Sequence, residues 1–461
     1  MINKWQGKQV LVIGAARQGL AASRFLASHG ANVLLTDNRE AKELPNIHQE
    51  LQGLRISTFF GSHPLELLQG VNYVCVSGGV PLDIPIVQQA KKSGIPITND
   101  AQIFMETVKA RMIGITGSAG KTTTTVVIGE IAKAAALPGQ IIWVGGNIGK
   151  PLVEFSDQIN PNDWVIMELS SFQLELMTIS PHIAVLLNIS PNHLDRHKTM
   201  QAYTNAKNNI ILHQNEDQVA VINRDDPITR ESGKLAKGNI ISFGFSTIND
   251  SENGTYVENG QIVSNYFGKK LSICPVSALH LPGRHNLSNA LAAAAASVIA
   301  GFTSEAIHSG ISNVKVIPHR LEMIREWRGV KWYNDSIATA PERVMAALEA
   351  IQSPVVLLVG GRDKDLPWEG LAAVLHDRKP KVVLFGEAGQ LIYEALSKFE
   401  GNQIPYPIKQ ADDLAEAVAI ASSLAESGES VLLSPGCTSF DAFKDFEERG
   451  EVFKSLVKEM Q

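Results

Sequence analysis

The glycines, lysine and threonines at positions 114–123 (GITGSAGKTT) have the types and spacing of a site that binds a nucleotide phosphate. They follow a strand-like apolar run at 112–115 and precede a helix that we expect to begin near Lys121. Glycines let the backbone approach a phosphate, whose charge is stabilised by loop N–H groups and by the helix N-terminus. In such a loop Lys121 reaches the β- and γ-phosphates, and the Thr122 hydroxyl coordinates Mg²⁺. Although Gly114 comes one position early for the standard pattern, the segment predicts an ATP site rather than an ordinary glycine turn.

Three further side chains, Glu168, His193 and Lys207, follow the phosphate loop and lie at or soon after the ends of predicted strands. Taken singly, each has a structural explanation: a solvated residue at a helix start, a hydrogen-bonding loop histidine, or a lysine on a solvated helix face. Magnesium at nucleotide phosphates needs hard oxygen ligands, which Thr122 and Glu168 can supply. A metal between phosphates and a carboxylate substrate favours an acyl phosphate because it neutralises developing charge. Together these residues therefore indicate a catalytic site.

A second glycine-containing turn, at 14–19 (GAARQG), joins a predicted strand at 9–13 to a helix at 20–28. The next strand, 32–36, ends at Asp37, so the arrangement resembles a dinucleotide-binding turn with an acidic residue about 20 positions on. Ala16 stands where the middle glycine of that pattern would let the backbone approach a pyrophosphate. A plain βαβ turn is therefore at least as good an interpretation as an NAD site. The loop at 77–81 follows another strand, 73–76, and open α/β sheets bind ligands at such strand ends.

The alternation of strands and helices along 461 residues predicts an α/β protein of three domains, because a single hydrophobic core does not grow to this size. Connecting segments at 99–111 and 314–318 place the domains at 1–108, 109–315 and 316–461. We expect a Rossmann-like first domain, a central P-loop ATPase-type domain with a mainly parallel sheet, and a Rossmann-like third domain. Further predicted strands lie at 141–144, 163–167, 182–188, 219–222, 240–243, 331–333, 355–359, 381–385 and 430–433, with a hairpin at 250–260; further predicted helices lie at 121–136, 342–350, 370–375 and 414–423, with one capped by Thr199 and an alanine-rich one ending near Gly301.

Composition restricts the class of protein. The net charge is −6 and no basic cluster occurs, so nucleic acid is not an expected partner. The three cysteines, Cys75, Cys274 and Cys437, are too sparse for a disulfide framework and fit a reducing compartment. No signal-peptide pattern is present at the start, and no apolar run reaches the 18 or so residues of a membrane span; the segment 290–302 reads as a buried helix. We therefore expect a cytoplasmic enzyme with no membrane partner.

Eight motifs follow one another along the chain: TGSAGKT (116–122), GNIG (146–149), ELSSFQ (168–173), NHLD (192–195), GRHNLSN (283–289), PHR (318–320), NDS (334–336), and SPGC (434–437) with FKDF (443–446). In this order they resemble the Mur ligase family, and within it the enzymes that add glutamate to UDP-N-acetylmuramoyl-L-alanine in peptidoglycan precursor synthesis. The resemblance covers essentially the whole chain. It implies that ATP phosphorylates the alanyl carboxylate and that the amine of glutamate then attacks the acyl phosphate.

The resemblance also implies roles for individual residues at the nucleotide. It makes Lys121, Glu168, His193 and Lys207 the catalytic residues. It implies two Mg²⁺ sites, one at Thr122 and Glu168 and one at His193 and Lys207, with Lys207 carbamylated so that it offers oxygen donors. The implied ATP-binding residues are Gly117, Ser118, Ala119, Gly120, Lys121, Thr122, Thr123, Asn286, Asn289, Arg320 and Asp335.

The first domain would by the same resemblance bind UDP and not NAD, in agreement with Ala16 in its turn. The implied UDP-sugar-binding residues are Ala15, Ala16, Arg17, Asp37, Arg39, Ser77, Gly79, Asn147 and His193. The third domain would bind glutamate, since a lysine beside a helix N-terminus is a suitable carboxylate clamp. The implied glutamate-binding residues are Thr339, Lys364, Ser439, Phe440 and Phe446.

The chain departs from the family at three positions. Many D-glutamate-adding enzymes carry Asp-Ser-Lys-Ala-Thr-Asn, where this chain has Asp-Ser-Ile-Ala-Thr-Ala at 335–340, so Ile337 removes a cation and Ala340 an amide. D-glutamate is the expected substrate, with L-glutamate left open. Ala119 replaces an asparagine usual in the phosphate loop. We expect the ligase to be a monomer. The alternatives are another amino-acid-adding ligase such as a folylpolyglutamate enzyme, an NAD(P)-binding oxidoreductase, and a non-catalytic nucleotide-binding sensor.

Overall fold

The computed structural model describes residues 4–44, 47–281, 283–314, 318–364, 366–399 and 404–460. The chain divides into two compact units, called here the larger and the smaller unit. The larger unit comprises Met1–Ile189, Thr199–Ala278 and Ser288–Asn313, and the smaller unit comprises Ser190–Lys198, Leu279–Leu287 and Val314–Gln461. The predicted domain boundary at 315/316 falls outside the described residues. Among the helices of the described ranges, none has the length and apolarity needed to span a bilayer.

The first sheet, in the larger unit, is built from the N-terminal part of the chain. Its strands are β1 (Gln9–Ile13), β2 (Asn32–Asp37), β3 (Ile56–Phe60), β4 (Tyr73–Val76) and β5 (Ile97–Thr98), and the helices of this part are α1 (Arg17–Ser28), α2 (Ile47–Glu50), α3 (Pro85–Lys92) and α4 (Asp100–Thr107). All strands are parallel and lie in the order β3-β2-β1-β4-β5. The sheet order reverses next to β1, which is where doubly wound sheets bind ligands.

The second sheet, also in the larger unit, carries the phosphate loop at the end of one of its inner strands. Its strands are β6 (Arg111–Thr116), β7 (Ile142–Gly146), β8 (Trp164–Glu168), β9 (Ile183–Leu186), β10 (Val219–Asn223), β11 (Asn239–Phe243), β12 (Gly254–Glu258), β13 (Gln261–Tyr266) and β14 (Lys269–Pro275). They lie in the order β14-β13-β12-β11-β10-β9-β6-β8-β7. The strands β6 to β12 run parallel, and β13 and β14 add an antiparallel edge. The apolar runs of β6, β8 and β9 are almost wholly buried, as expected for strands covered on both faces.

Seven α-helices accompany the described strands of this part of the chain, and the last two follow β14. They are α5 (Lys121–Ala135), α6 (Ser171–Leu174), α7 (Leu194–His197), α8 (Met200–Leu212), α9 (Pro227–Ser232), α10 (Arg284–Ala300) and α11 (Ser304–Asn313). As predicted, the Thr199 side chain caps α8 by accepting the Ala202 N–H at 3.1 Å. Single 3₁₀ segments lie at Ala41–Glu43, Leu65–Leu68, Leu152–Gln158, Gly233–Leu235 and Val276–Ala278.

The third sheet lies in the smaller unit. Its strands are β15 (Glu322–Trp327), β16 (Val330–Asn334), β17 (Val355–Gly360), β18 (Lys381–Phe385), β19 (Ile408–Ala411) and β20 (Ser430–Gly436), and its helices are α12 (Pro341–Ala350), α13 (Glu369–Arg378), α14 (Gly389–Ser397), α15 (Leu414–Leu424) and α16 (Phe446–Glu459). The order is β15-β16-β20-β17-β18-β19, with only the β15–β16 pair antiparallel among the described strands.

The structure adds detail to three sequence expectations. Helix α1 begins at Arg17, three positions before the predicted start at 20. The segment 99–111, expected to be a connection, contains α4, because Asn99 caps it by accepting the Gln102 N–H and apolar residues face the core. The segment 250–260, predicted to be a hairpin, contains β12 and the turn that follows it. It begins a three-stranded antiparallel meander, β12 to β14, that continues to Pro275.

Candidate functional site

The phosphate loop connects β6 to α5, as its sequence predicts. Gly120 ends the loop with φ of +84°, a left-handed conformation that favours glycine. A Cβ at this position would lie 2.2 Å from Asn289 Oδ1, so a larger residue would displace the Asn289 side chain. The N–H groups in the first turn of α5 have no acceptor within the helix, and they form the positive end of its dipole. The loop therefore has the backbone of an anion site.

The carbonyl groups of the loop are held by two lysines. The Nζ of Lys121 donates to the carbonyls of Gly117 at 2.7 Å and Ser118 at 3.3 Å. The Nζ of Lys207, which is 1% exposed, donates to the same Gly117 carbonyl at 2.8 Å and lies 4.7 Å from the centre of the Tyr203 ring. Burial lowers the pKa of Lys207 well below its usual value; the nearby Lys121 charge lowers it further and Glu168 partly opposes this. An amine in these surroundings is easily held uncharged.

Glu168 lies at the end of β8, next to the phosphate loop. Strands β6 and β8 are parallel neighbours with Ile115 opposite Glu168, so both strands end at the same edge of the sheet. The Thr122 hydroxyl donates to Glu168 Oε2 at 2.8 Å, and the Asn147 amide donates to Oε1 at 3.0 Å. The structure thus brings together the two oxygen donors predicted from sequence, and Asn147 orients the carboxylate.

The chemistry of these donors fits Mg²⁺. The described residues contain no group of three or more His, Cys, Asp and Glu side chains that would hold a metal on its own. What they offer is a hydroxyl and a carboxylate beside an anion-binding loop. Magnesium in nucleotide sites is held in this way, by one or two protein oxygens together with phosphate oxygens and water.

A cavity of about 410 Å³ lies at the turn between β1 and α1 and extends to the second sheet. Seven predicted UDP-sugar residues line it: Ala16, Arg17, Asp37, Arg39, Ser77, Gly79 and Asn147. The lining residues that sequence reasoning did not single out are Gly14, Gln18, Asn38 and Val80, and each lies next to, or within two residues of, one that it did. The backbone carbonyl of Asn147 accepts a hydrogen bond from Arg17 at 3.2 Å, so Asn147 faces both the cavity and Glu168.

Among the described residues that line this cavity, Asp37 supplies the carboxylate. It accepts the Ala15 N–H at 2.7 Å, and the Arg39 side chain forms a two-pronged contact with it at 2.9 Å to each oxygen. Burial opposes ionisation of Asp37, but the hydrogen bonds from Arg39 and Ala15 outweigh it and lower its pKa to about 2. Asp37 is therefore a permanent anion that shapes the turn at 14–17.

In the smaller unit, the predicted glutamate-binding residues lie on two loops at the ends of β16 and β20 and on the loop after β17. Lys364 Nζ lies 3.4 Å from the Thr339 hydroxyl, so the structure brings these two together. Ser439 is buried, Phe440 is 61% exposed, and Phe446 begins α16 with its carbonyl bonded to the Ser336 hydroxyl.

Arg449, which sequence reasoning missed, connects the loops at the ends of β16 and β20. Its buried guanidinium donates to the Ser336 hydroxyl and carbonyl and to the Cys437 and Thr438 carbonyls. Nothing short-range marks it, since it lies within α16 in a charged stretch.

The remaining predicted residues are divided between the units. Asn289 belongs to the larger unit, beside Gly120, whereas His193, Asn286, Arg320 and Asp335 belong to the smaller one. His193 precedes α7 with φ of +55°. Burial raises the pKa of Asp335 to about 6, against hydrogen bonds from Ser434 and the Leu321 N–H.

Comparisons with known proteins agree with this geometry. Three family models match in order: the Mur ligase MurD-like N-terminal domain at residues 8–99, the Mur ligase middle domain at 115–297 and the Mur ligase glutamate ligase domain at 319–437. The UDP-N-acetylmuramoylalanine--D-glutamate ligase of Symbiobacterium thermophilum is 38% identical over 98% of both chains. The protein of the same name from Pelotomaculum thermopropionicum is 39% identical over 99% of both chains.

Solved structures confirm the fold. MurF from Acinetobacter baumannii matches with a TM-score of 0.62 at 18% identity, covering 98% of this chain and 91% of that one. MurC from Thermotoga maritima matches with a TM-score of 0.59 at 17% identity, covering 98% and 99%. The predicted three-domain α/β architecture and the predicted family are thus confirmed, and the chain belongs to the Mur ligase family.

Proposed function

We propose that the chain is an ATP-dependent ligase that adds D-glutamate to UDP-N-acetylmuramoyl-L-alanine during peptidoglycan precursor synthesis. The observation that carries the proposal is the position of Asn147. This residue lines the first-sheet cavity and also orients Glu168 beside the phosphate loop. A sugar nucleotide in the cavity would present its far end to a triphosphate on the loop. Relatives that are 37–39% identical over nearly their whole length carry the name of this activity.

In the proposed reaction the alanyl carboxylate takes the γ-phosphoryl group of ATP, which releases ADP and gives an acyl phosphate. The amine of glutamate attacks the acyl carbon, and the resulting tetrahedral intermediate collapses to the amide and phosphate. Lys121 and the N–H groups in the first turn of α5 hold the triphosphate, so that the γ-phosphorus is in line with the carboxylate oxygen. Mg²⁺, when bound by Thr122 and Glu168, supplies neutralisation of the charge that develops on the transferred group.

We further propose that a second Mg²⁺ is served by His193 and by a carbamylated Lys207. Carbamylation joins the uncharged amine to CO₂ and releases a proton, which converts a cation into an anionic oxygen donor. The burial of Lys207 supports this role because it favours the uncharged amine that CO₂ requires. Asn286, Asn289, Arg320 and Asp335 complete the proposed nucleotide site.

The two other substrates are assigned by the same reasoning. The UDP-sugar would occupy the cavity of Asp37 and Arg39, together with the other predicted residues Ala15, Ala16, Arg17, Ser77, Gly79, Asn147 and His193. Glutamate would bind at Thr339, Lys364, Ser439, Phe440 and Phe446, where Lys364 supplies a positive charge. The domains proposed for these roles are residues 1–108, 109–315 and 316–461. We propose that the chain acts as a monomer, since one chain supplies every residue of the proposed site. We also propose that it acts in the cytoplasm.

The test is phosphate release from ATP with UDP-N-acetylmuramoyl-L-alanine and each glutamate enantiomer in separate reactions. D-glutamate should support turnover that depends on both co-substrates, and Lys121→Ala should abolish it. Turnover with L-glutamate alone would reassign the substrate, which is the outcome that Ile337 and Ala340 leave open. If neither enantiomer supported phosphate release, the proposed function would be contradicted. The activity of another amino-acid-adding ligase would then be the alternative to test.

A further inference from the structure

We propose that Asn188 is a positioning residue for the phosphate loop, holding the peptide groups of Ala119 so that the first turn of α5 presents its N–H groups to the nucleotide. This inference rests on the proposed ATP site. It concerns a residue that carries no catalytic or binding role in the assignment above. Asn188 lies 69 positions from Ala119 in the chain, so no short motif connects the two.

The side chain of Asn188 is bonded to both polar groups of one loop residue. Its Oδ1 accepts the Ala119 N–H at 2.8 Å, and its Nδ2 donates to the Ala119 carbonyl at 3.0 Å. The backbone carbonyl of Asn188 also accepts the Ser118 N–H at 2.9 Å. Three hydrogen bonds from a single residue therefore fix two consecutive residues of the loop.

The neighbouring strands explain why residue 188 lies in this place. Strands β6 and β9 are parallel neighbours with Thr116 opposite Leu186. Their pairing continues past the strand ends, because the Leu187 N–H donates to the Thr116 carbonyl at 3.0 Å. The loop also lies directly on this segment: a Cβ at Gly117 would be 2.9 Å from the Cβ of Leu187. The residue after Leu187 is thus brought alongside 118–119.

The contact has a consequence for an anion in the loop. The carbonyls of Gly117 and Ser118 accept from Lys121, and that of Gly117 also from Lys207, while that of Ala119 accepts from Asn188. Each of these three carbonyl oxygens therefore points to a donor of the protein. A phosphate bound in the loop is not repelled by the partial negative charge of these oxygens. Because Ala119 has no polar side chain, its position depends on its two backbone groups. A primary amide is the side chain that can satisfy both at once.

The experiment compares Asn188→Ala, Asn188→Asp and Asn223→Ala in the full-length enzyme. Asn223 is the matched control, because its amide donates at 2.8 Å to the carbonyl of Leu187, the preceding residue of the same segment. Its substitution therefore removes a similar buried amide that is bonded to this segment and not to the loop. Binding of a non-hydrolysable ATP analogue and of UDP-N-acetylmuramoyl-L-alanine is measured by calorimetry, KM and kcat are measured for each substrate, and melting temperatures show which variants are folded.

Asn188→Ala should weaken binding of the ATP analogue and raise the KM for ATP by about 10- to 100-fold, since small misplacements of a catalytic loop have effects of this size. Binding of the UDP-sugar should stay within about twofold of wild type. Asn188→Asp should lose at least as much affinity for the ATP analogue. The aspartate keeps an acceptor for the Ala119 N–H, but it places a negatively charged oxygen against the Ala119 carbonyl. Asn223→Ala should change the melting temperature but leave ATP binding within about twofold.

Wild-type affinity for the ATP analogue in a folded Asn188→Ala variant would overturn the proposal. An equal loss of affinity for ATP and for the UDP-sugar would overturn it as well, since that is the result of a general structural role. The binding measurement separates this inference from the proposed function. If wild type bound the analogue in an Asn188-dependent way but released no phosphate, the positioning role would stand and the ligase activity would fail.

Discussion

Lys207 is predicted to be indispensable for turnover although it lies outside the phosphate loop. Its Nζ contacts the Gly117 carbonyl at 2.8 Å, and the side chain is almost completely buried. Removing one charge-stabilising group from such a site costs about 100- to 1,000-fold in kcat, or about 3–4 kcal/mol. Lys207→Ala should therefore lower kcat by at least about 100-fold. It also leaves a cavity where the side-chain stem was buried, which costs about 2–4 kcal/mol of unfolding free energy.

Two variants separate the chemical role of Lys207 from its packing. Lys207→Met keeps most of the buried volume but has no amine, so it should be folded and as inactive as Lys207→Ala. Short carboxylic acids such as formate or acetate should partly restore the alanine variant, because a carboxylate can enter its cavity and supply oxygens. They should not restore the methionine variant, whose cavity is filled.

The assay is steady-state phosphate release at a temperature where each variant is folded by circular dichroism. Wild-type activity should fall when CO₂ and bicarbonate are removed and should recover when bicarbonate is added. A folded Lys207→Met variant with wild-type turnover would refute the reasoning. If wild-type activity stayed unchanged in CO₂-free buffer, the proposed carbamylation of Lys207 would be refuted. The role of the Lys207 amine in holding the Gly117 carbonyl would not be affected by that result.

Two further predictions concern single carboxylates. Asp37→Ala should raise the KM for the UDP-sugar by about 10-fold and leave the KM for ATP unchanged, because Asp37 holds Ala15 and Arg39 at the cavity through charge-assisted hydrogen bonds; kinetics with each substrate varied in turn checks this. Burial raises the pKa of Asp100 from 3.8 to about 6, so the stability contributed by its protonated form is complete below pH 3.8 and is lost as the pH rises through about 6. Asp100→Asn should therefore unfold with about 3 kcal/mol more free energy than wild type at pH 7 and with equal free energy near pH 3.5, as measured by urea titration at each pH.

The outcomes that contradict these two predictions are distinct. A KM for ATP that rises together with the KM for the UDP-sugar in Asp37→Ala would mean that the substitution disturbs the whole larger unit. For Asp100, urea midpoints of variant and wild type that stay parallel from pH 3.5 to 7 would mean that the carboxyl is solvated. The Gln173 amide lies 3.4 Å from its Oδ2, and the backbone N–H groups of Ala101 and Asp100 also favour the ionised form, but burial outweighs these contacts.

Short-range patterns were sufficient to locate the parts of the site that lie within one turn of the chain. The run from 112 to 123 specifies a strand, a glycine turn and a helix start, and the structure has β6, the loop and α5 at these positions. For the turn at 14–17, Asp37 and Ser77, the pattern alone left a plain βαβ turn open; the resemblance to the family implied one shared ligand, and residues of these three segments line one cavity. The helix within the connecting segment 99–111 was also predictable, since Asn99 followed by an apolar helical stripe is a start signal.

Contacts between distant segments were not predictable in this way. The bond of Lys207 to Gly117 spans 90 positions, that of Asn188 to Ala119 spans 69, and that of Arg449 to Ser336 spans 113. Each depends on which strands are neighbours and on their register, and register is set by burial of whole strands in the sheet and not by the residues that make the contact. A local pattern specifies the conformation of its own backbone, whereas the partner of a polar side chain is selected by the packing of the fold.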